Sequence, residues 1–269
     1  WDTKRIYVWF EAVQGYLTCS RIWAEKFSEN GDDWKKWWVK SDDGIEPKHI
    51  YFMGKDNIPF HTVIWPSIIM GLNSANSGNA PSSIIQPGEL VLEKNVPAME
   101  FLMLQGGQFS KSRKHAVWLP SFLENHSPDT LRYFLSINMP EGHDTDFRWE
   151  EYVDKVNNEL IGTYGNFVHR VMTLSHRLES INDDNPLSQF YNLDDHEESI
   201  IKIQELLESA INSMEKQRFK ESLRSLMNVS QIGNGLIQHS EPWKYMKLED
   251  SPEKSKSLST LAFCWQICR

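Results

Sequence analysis

The chain has 269 residues, 40% of them hydrophobic and 12% aromatic with eleven tryptophans, and a formal net charge of −9. That is enough apolar material for two or three packed pieces, and the acidic balance excludes a nucleic-acid binder that works by overall charge, leaving only a local patch combined with stacking. There is no apolar run long enough to cross a bilayer and no secretory signal pattern, so the cytoplasm is the expected address and no membrane partner is expected.

In chain order, residues 5–10 are apolar on both faces, the pattern of a central strand in a buried parallel sheet. Such a strand so near Trp1, with no initiator methionine, leads us to expect an upstream half outside this sequence. Residues 12–26 have helical spacing, and Trp34, Trp37 and Trp38 share a predicted helical face packed beneath lysines. A second strand is expected over 49–53, then a turn through Gly54-Lys55-Asp56-Asn57 and a helix from Pro59 to about Leu72. Residues 73–87, rich in Ser, Asn, Gly and Pro, read as a surface loop, and 98–104 as a third strand. Strands separated by helices imply a parallel α/β sheet.

Beyond about Leu119 the pattern turns helical, with no further strong strand. Three apolar stripes follow: Val153, Val156, Leu160, Tyr164, Phe167 and Val171; Ile200, Ile203, Leu207, Ala210 and Met214; and Phe219, Leu223, Leu226, Ser230, Gly233 and Ile237. They predict a helical bundle with a turn at 182–186, a polar link over 251–260 and a last short helix at 261–267. Cys264 and Cys268 lie one turn apart and Cys19 is distant, so no four-ligand zinc set can be assembled; reduced, structural thiols are expected.

In open parallel sheets ligands bind beyond the carboxyl ends of strands. Three segments qualify: Trp9 to Tyr16, Gly54 to Trp65, and Gln105 to Arg113. The last contains Ser110-Lys111-Ser112 after the turn glycines Gly106 and Gly107, a mobile cation suited to closing over a triphosphate, although such a loop also suits a solvated turn. Asp56 is placed to accept from ribose hydroxyls or to cap a helix, and Gly54 leaves room for a nucleoside beside the backbone. His61 and Trp65 share a helix face, where His61 also fits as a core histidine, and Trp9 and Tyr16 as core aromatics. In the bundle, Asn166 and Arg170 face away from the apolar stripe, and Trp243 follows Pro242. An exposed Trp with an outward Arg and Asn can stack on and hydrogen-bond a splayed base, or be no more than a solvated face.

Together these segments resemble the methionyl-tRNA synthetases, class I aminoacyl-tRNA synthetases, in their archaeal and eukaryotic style. The matching runs are Tyr7-Val8-Trp9-Phe10-Glu11-Ala12 to Gly15-Tyr16, Gly54-Lys55-Asp56-Asn57 to Phe60-His61 and Trp65-Pro66, and Glu100-Phe101-Leu102 to Phe109-Ser110-Lys111-Ser112-Arg113. Asp129-Thr130-Leu131-Arg132-Tyr133, Asp146-Phe147-Arg148-Trp149, Gly165-Asn166-Phe167-Val168-His169-Arg170 and Glu241-Pro242-Trp243-Lys244 continue them in the family's order. The resemblance implies a methionine pocket from Trp9, Ala12, Tyr16, His61 and Trp65. It implies an ATP site at Gly54, Asp56, Leu102 and Lys111, with Lys111 catalytic, and CAU anticodon readers at Asn166, Arg170 and Trp243. It further implies ATP with Mg2+, methionine and tRNA(Met) as ligands and partners, and three parts. Residues 1–115 would be the C-terminal half of a Rossmann-type catalytic domain, 116–150 a connecting element and 151–269 a helical anticodon-binding domain.

Three departures stand out: Gln108 in place of the mobile loop's first lysine, Val13 where proline is usual, and Met99 where asparagine is common. The family's His-x-Gly-His helix start and cysteine-rich zinc insert do not occur in the sequence, so any zinc site is expected upstream together with half of the ATP site. The expected function is that of a methionine–tRNA ligase fragment, inactive by itself. The alternatives are a non-catalytic tRNA-binding module derived from the family and a class I synthetase for another amino acid.

Overall fold

A computed structural model describes residues 3–5, 7–41, 43–76, 89–178, 187, 190–192 and 194–269. The chain divides into two units, Trp1–Phe101 with Glu141–His143 and Leu102–Pro140 with Asp144–Arg269.

In the first unit, the segment expected to be a central strand is a short helix, α1 (Val8–Ala12). A buried strand needs ladder partners for its backbone. No described strand pairs with this segment, so its amides bond locally, Phe10 N donating to Tyr7 O. Tyr7, Val8 and Phe10 are exposed, and the rings of Tyr7 and Trp9 rest on Phe60. The helix expected over 12–26 is present as α2 (Gly15–Phe27). Next comes the single turn α3 (Lys35–Trp38), where Trp34 and Trp38 are buried but Trp37 is exposed. Neighbouring residues on a helix point about 100° apart, so Trp37 and Trp38 cannot both face the core.

The strand expected over 49–53 is split into β1 (His49–Ile50) and β2 (Met53–Gly54). A 3₁₀ turn (Lys55–Asn57), a π-helical turn (Phe60–Ile64) and α4 (Trp65–Asn76) form the crossover. Then β3 (Glu93–Asn95), which the sequence pattern did not signal, pairs parallel with β1, and β4 (Ala98–Met99) pairs parallel with β2. Parallel neighbours require such a crossover. Of the loop expected over 73–87, residues 73–76 belong to α4 and 77–87 lie outside the described residues. Asn73 fastens the return strand, donating from Nδ2 to Leu90 O at 2.8 Å and accepting from Leu90 N at 2.9 Å. Trp65 and Ile69 are fully buried, packed with Val13, Trp38, Tyr51 and Leu90.

The strand expected over 98–104 is divided too, because β5 (Leu102–Leu104) belongs to the second unit. There it is the centre of a three-stranded sheet, antiparallel to β6 (Gly107–Gln108) and parallel to β7 (Thr145–Phe147). The hairpin turn is Gln105-Gly106, with φ of 49° and 78°, the two positive values of a tight two-residue connection. Gly107 is therefore a strand residue rather than a turn residue. The strand β7 contradicts the expectation of helices only after Leu119; at three residues it is too short to register as an alternating pattern.

Before β7 come α5 (Leu119–Leu123) and α6 (Pro128–Ile137), the latter capped by Ser127, whose Oγ accepts from Asp129 N. After it come α7 (Trp149–Asp154), an eleven-residue π-helical stretch (Lys155–Gly165) and α8 (Asn166–His176). The π stretch breaks the first predicted stripe. Its i→i+5 bonding takes up more residues per turn than 3.6, so Val156, Phe167 and Val171 are buried while Val153 and Tyr164 are exposed. Glycine permits it: a Cβ at Gly162 would stand 2.9 Å from the Asn157 carbonyl oxygen.

The bundle continues with α9 (Glu197–Glu215), α10 (Phe219–Ser240), α11 (Pro242–Tyr245) and α12 (Pro252–Ile267). In the second and third stripes Ile203, Ala210, Ser230, Gly233 and Ile237 are buried, but Leu207, Met214 and Leu226 are exposed. The inner face of α10 is built from small residues, Ser222, Ser225, Ser230 and Gly233, rather than from leucines. The predicted polar link over 251–260 is instead the first half of α12, with Ser257, Ser259 and Thr260 buried. These hydroxyls satisfy themselves on backbone carbonyls: Ser257 on Ser240 at 2.7 Å and Thr260 on Lys256 at 3.1 Å. The turn expected at 182–186 lies outside the described residues. In outline the chain is α/β with small parallel strand pairs, followed by a helical part.

Candidate functional site

The first unit gathers Tyr16, His61 and Trp65 around a residue not singled out from sequence, Tyr51. The His61 ring is held at both nitrogens: Nδ1 lies 3.0 Å from Asn57 O and Nε2 lies 2.9 Å from Tyr16 OH. A carbonyl only accepts, so Nδ1 donates to Asn57 O, which leaves Nε2 to meet the Tyr16 hydroxyl. Trp65, fully buried, donates from Nε1 to Tyr51 OH at 3.0 Å. Tyr51 packs 5.0 Å from Tyr16 and 5.6 Å from His61, ring centre to ring centre. Burial pushes its phenol up to about 12, so it stays neutral. The signal for Tyr51 was its place in the predicted strand, two residues before Met53 and so on the same face.

Trp9 lies beside this cage with its ring 5.5 Å from Phe60, next to His61 in sequence. Ala12 and Tyr16 share the wall of an adjoining cavity of about 650 Å³ with Trp38, His49 and Tyr51. Val13 is buried in the core beneath.

The turn after β2 presents Gly54 and Asp56. A Cβ at Gly54 would meet no atom within 4 Å, so nothing in the protein's own packing demands glycine there. Asp56 is the exposed middle residue of that turn, whose N-cap position is Gly54. The turn is tied down by Lys55, which pairs with Glu100 and lies 4.4 Å above the Phe101 ring.

In the second unit, Leu102 pairs with Thr145 on one side, while the β6 ladder stops at Met103 and leaves its other backbone edge without a strand neighbour among the described residues. Lys111 is exposed at the tip of a turn closed by the Ser110–His115 bridge and by Lys114 N donating to Lys111 O at 3.1 Å. His115 anchors this turn, its Nε2 donating to Leu104 O at 2.7 Å. Gln108 is an exposed residue of β6.

The bundle brings Asn166, Arg170 and Trp243 together with two residues that were not anticipated. Asn166 Nδ2 donates to Asn234 Oδ1 at 3.2 Å, and Arg170 Nη2 to Gln238 Oε1 at 3.0 Å. The Arg170 guanidinium lies 5.4 Å from the centre of the half-buried Trp243 ring. Asn234 and Gln238 are four apart on α10 as Asn166 and Arg170 are on α8, a match of polar spacing visible in the sequence but not used. A groove of about 360 Å³ opens here.

Of the thiols, Cys264 is buried and held well above its ordinary value by burial, and Cys268 is raised to about 11 by the same cause; neither is a ready nucleophile. Among the described residues no three His, Cys, Asp or Glu side chains converge on a cation site, and no helix is long and apolar enough to cross a membrane.

Residues 1–172 match the family model of tRNA synthetases class I (M). The chain is 38% identical over 246 residues to a protein of Roseiflexus sp. (strain RS-1) named methionine–tRNA ligase, covering 91% of this chain and 38% of that protein. It is 40% identical over 248 residues to one of the same name from Chloroflexus aurantiacus, with 91% and 40% covered. The chain thus spans about two fifths of the length of the curated relatives it matches. Among solved structures, it superposes on Mycobacterium tuberculosis methionyl-tRNA synthetase in complex with methionyl-adenylate, with a TM-score of 0.71 and 22% identity, covering 97% of this chain and 45% of that one.

Proposed function

The chain belongs to the methionyl-tRNA synthetases of class I, and on that premise we propose that it supplies the methionine pocket, part of the ATP site and the anticodon reader of a methionine–tRNA ligase. Residues 1–115 would be the second half of a Rossmann-type catalytic domain, 116–150 the connecting element and 151–269 the anticodon-binding domain. The observation that carries this reading is the cage in which His61 is oriented from both sides by Asn57 and Tyr16 and walled by Tyr51 and Trp65. Aromatic faces and an oriented imidazole suit a polarizable thioether.

In this reading Trp9, Ala12, Tyr16, His61 and Trp65 hold methionine, Gly54 and Asp56 receive adenosine and ribose, and the free edge of Leu102 meets adenine. Open space at Gly54 and the exposure of Asp56 support that assignment. The methionine carboxylate attacks the α-phosphorus of ATP and pyrophosphate leaves, giving methionyl-adenylate, whose methionyl group passes to tRNA(Met). Lys111, exposed at the tip of its pinned turn, would neutralise charge that builds on the triphosphate. Mg2+ would enter bound to the triphosphate. Asn166, Arg170 and Trp243 would read CAU, with the tryptophan stacked on a base.

Calorimetric titration with methionine, leucine and norleucine tests the pocket. Methionine should bind best, and His61→Ala should abolish the preference. Equal binding of all three, or of none, would contradict the assignment. Gln108, together with the lack of a His-x-Gly-His run in this sequence, favours a second reading, a non-catalytic tRNA-binding module.

A further inference from the structure

The groove beside Trp243 extends past Arg170 and Trp243, two of the proposed base readers. Its lining is His169, Arg170, Thr173, Leu174, Arg177, Gln238 and Trp243, with no carboxylate among them, in a chain whose net charge is −9. Arg170 is committed to Gln238 and to the Trp243 ring. Arg177, the residue that ends α8, is exposed and makes no side-chain hydrogen bond or ion pair among the described residues. Seven residues of helix carry it ~10 Å along the axis from Arg170. Between them stands Thr173, its hydroxyl 3.4 Å from Nε2 of His169, the residue before Arg170, and both line the same groove. A half-buried stacking ring at one end and an unpaired guanidinium at the other form the pattern of a single-strand track, in which one group takes a base and the other the backbone.

We propose that Arg177 binds a phosphodiester of the RNA strand whose base stacks on Trp243, so that it contributes affinity independent of anticodon sequence. This rests on the anticodon-binding reading above. A planar fork of donors suits a phosphate, and its neutralisation releases counterions.

The test is fluorescence anisotropy of the full chain with two RNA stem-loops, one bearing CAU and one an unrelated anticodon, across a series of salt concentrations. Arg177→Gln should weaken both loops alike, by about 5- to 10-fold at low salt, and make the slope of log affinity against log salt shallower by about 0.7–0.9. Arg177→Lys should restore most of the slope. An unchanged slope in Arg177→Gln, or a loss confined to the CAU loop, would overturn the proposal. Displacement of RNA by inorganic phosphate at constant ionic strength would make this a free-anion site instead and would also overturn it. Should the unmodified chain bind both loops equally, anticodon reading fails, while the salt slope still decides the role of Arg177.

Discussion

At the scale of single residues, burial separates side chains that hold the fold from those that are available for chemistry. Trp65 does both, filling the first unit's core and presenting its indole N–H to Tyr51. Trp65→Ala should cost ~3–5 kcal/mol of stability, whereas Trp65→Phe, which keeps a ring but leaves Tyr51 without its donor, should cost ~1 kcal/mol; chemical denaturation followed by tyrosine and tryptophan fluorescence measures both. Lys111 is the opposite case, exposed and without an ion-pair partner among the described residues. In an enzyme that contains this chain, Lys111→Ala should leave the melting temperature unchanged and slow pyrophosphate exchange by ~10²-fold or more. Spacing places His61 and Trp65 on one helix face and Asn166 and Arg170 on another, but the roles proposed for them and for Trp243 come from the family resemblance. For Tyr51, Asn234 and Gln238 the sequence shows position and spacing but not the partners, which lie 14 or 68 residues away.

At the scale of elements, the longer helices were readable, while of the three expected strands those over 49–53 and 98–104 are split in two and that over 5–10 is a helix. The helices α2, α8, α9 and α10 follow periodic patterns, whereas every strand among the described residues has only two or three residues, too few for alternation to show. Where the helical pattern failed there is a local cause: the π stretch before α8, and the small-residue face of α10. That face allows Gly233 to lie directly against the Phe167 ring, where a Cβ would overlap ring carbons. Gly233→Ala should therefore destabilise the bundle by ~1–3 kcal/mol or more, read from thermal melts. At the other end of the bundle His196 is buried, stacked 4.7 Å from Phe263, with Ser259 Oγ 3.4 Å from its Nε2. Burial lowers its pKa below the ordinary 6.5, against an opposing pull from Asp195. Its folded value lies below the unfolded one, so the unfolded chain takes up the proton first. Stability from this site is thus full above about 6.5 and is lost as pH falls through the lowered value. Melting curves at pH 7.5 and 5.5 should show a drop that His196→Phe reduces.

At the scale of the whole molecule, the division into two units assigns chemistry to each. The first contains the aromatic cage and the Gly54–Asp56 turn, and the second contains the Lys111 turn and the Trp243 groove. The order of these motifs along the chain carried the family resemblance, more than any one of them did. The His-x-Gly-His run that the family uses at its ATP site is not in this sequence. The most direct measurement is methionine-dependent exchange of labelled pyrophosphate into ATP, made on this chain alone and on the chain joined to a family segment carrying His-x-Gly-His. The account predicts exchange only in the joined form, dependent on His61 and Lys111. Exchange by the chain alone, or none in either form, would contradict it.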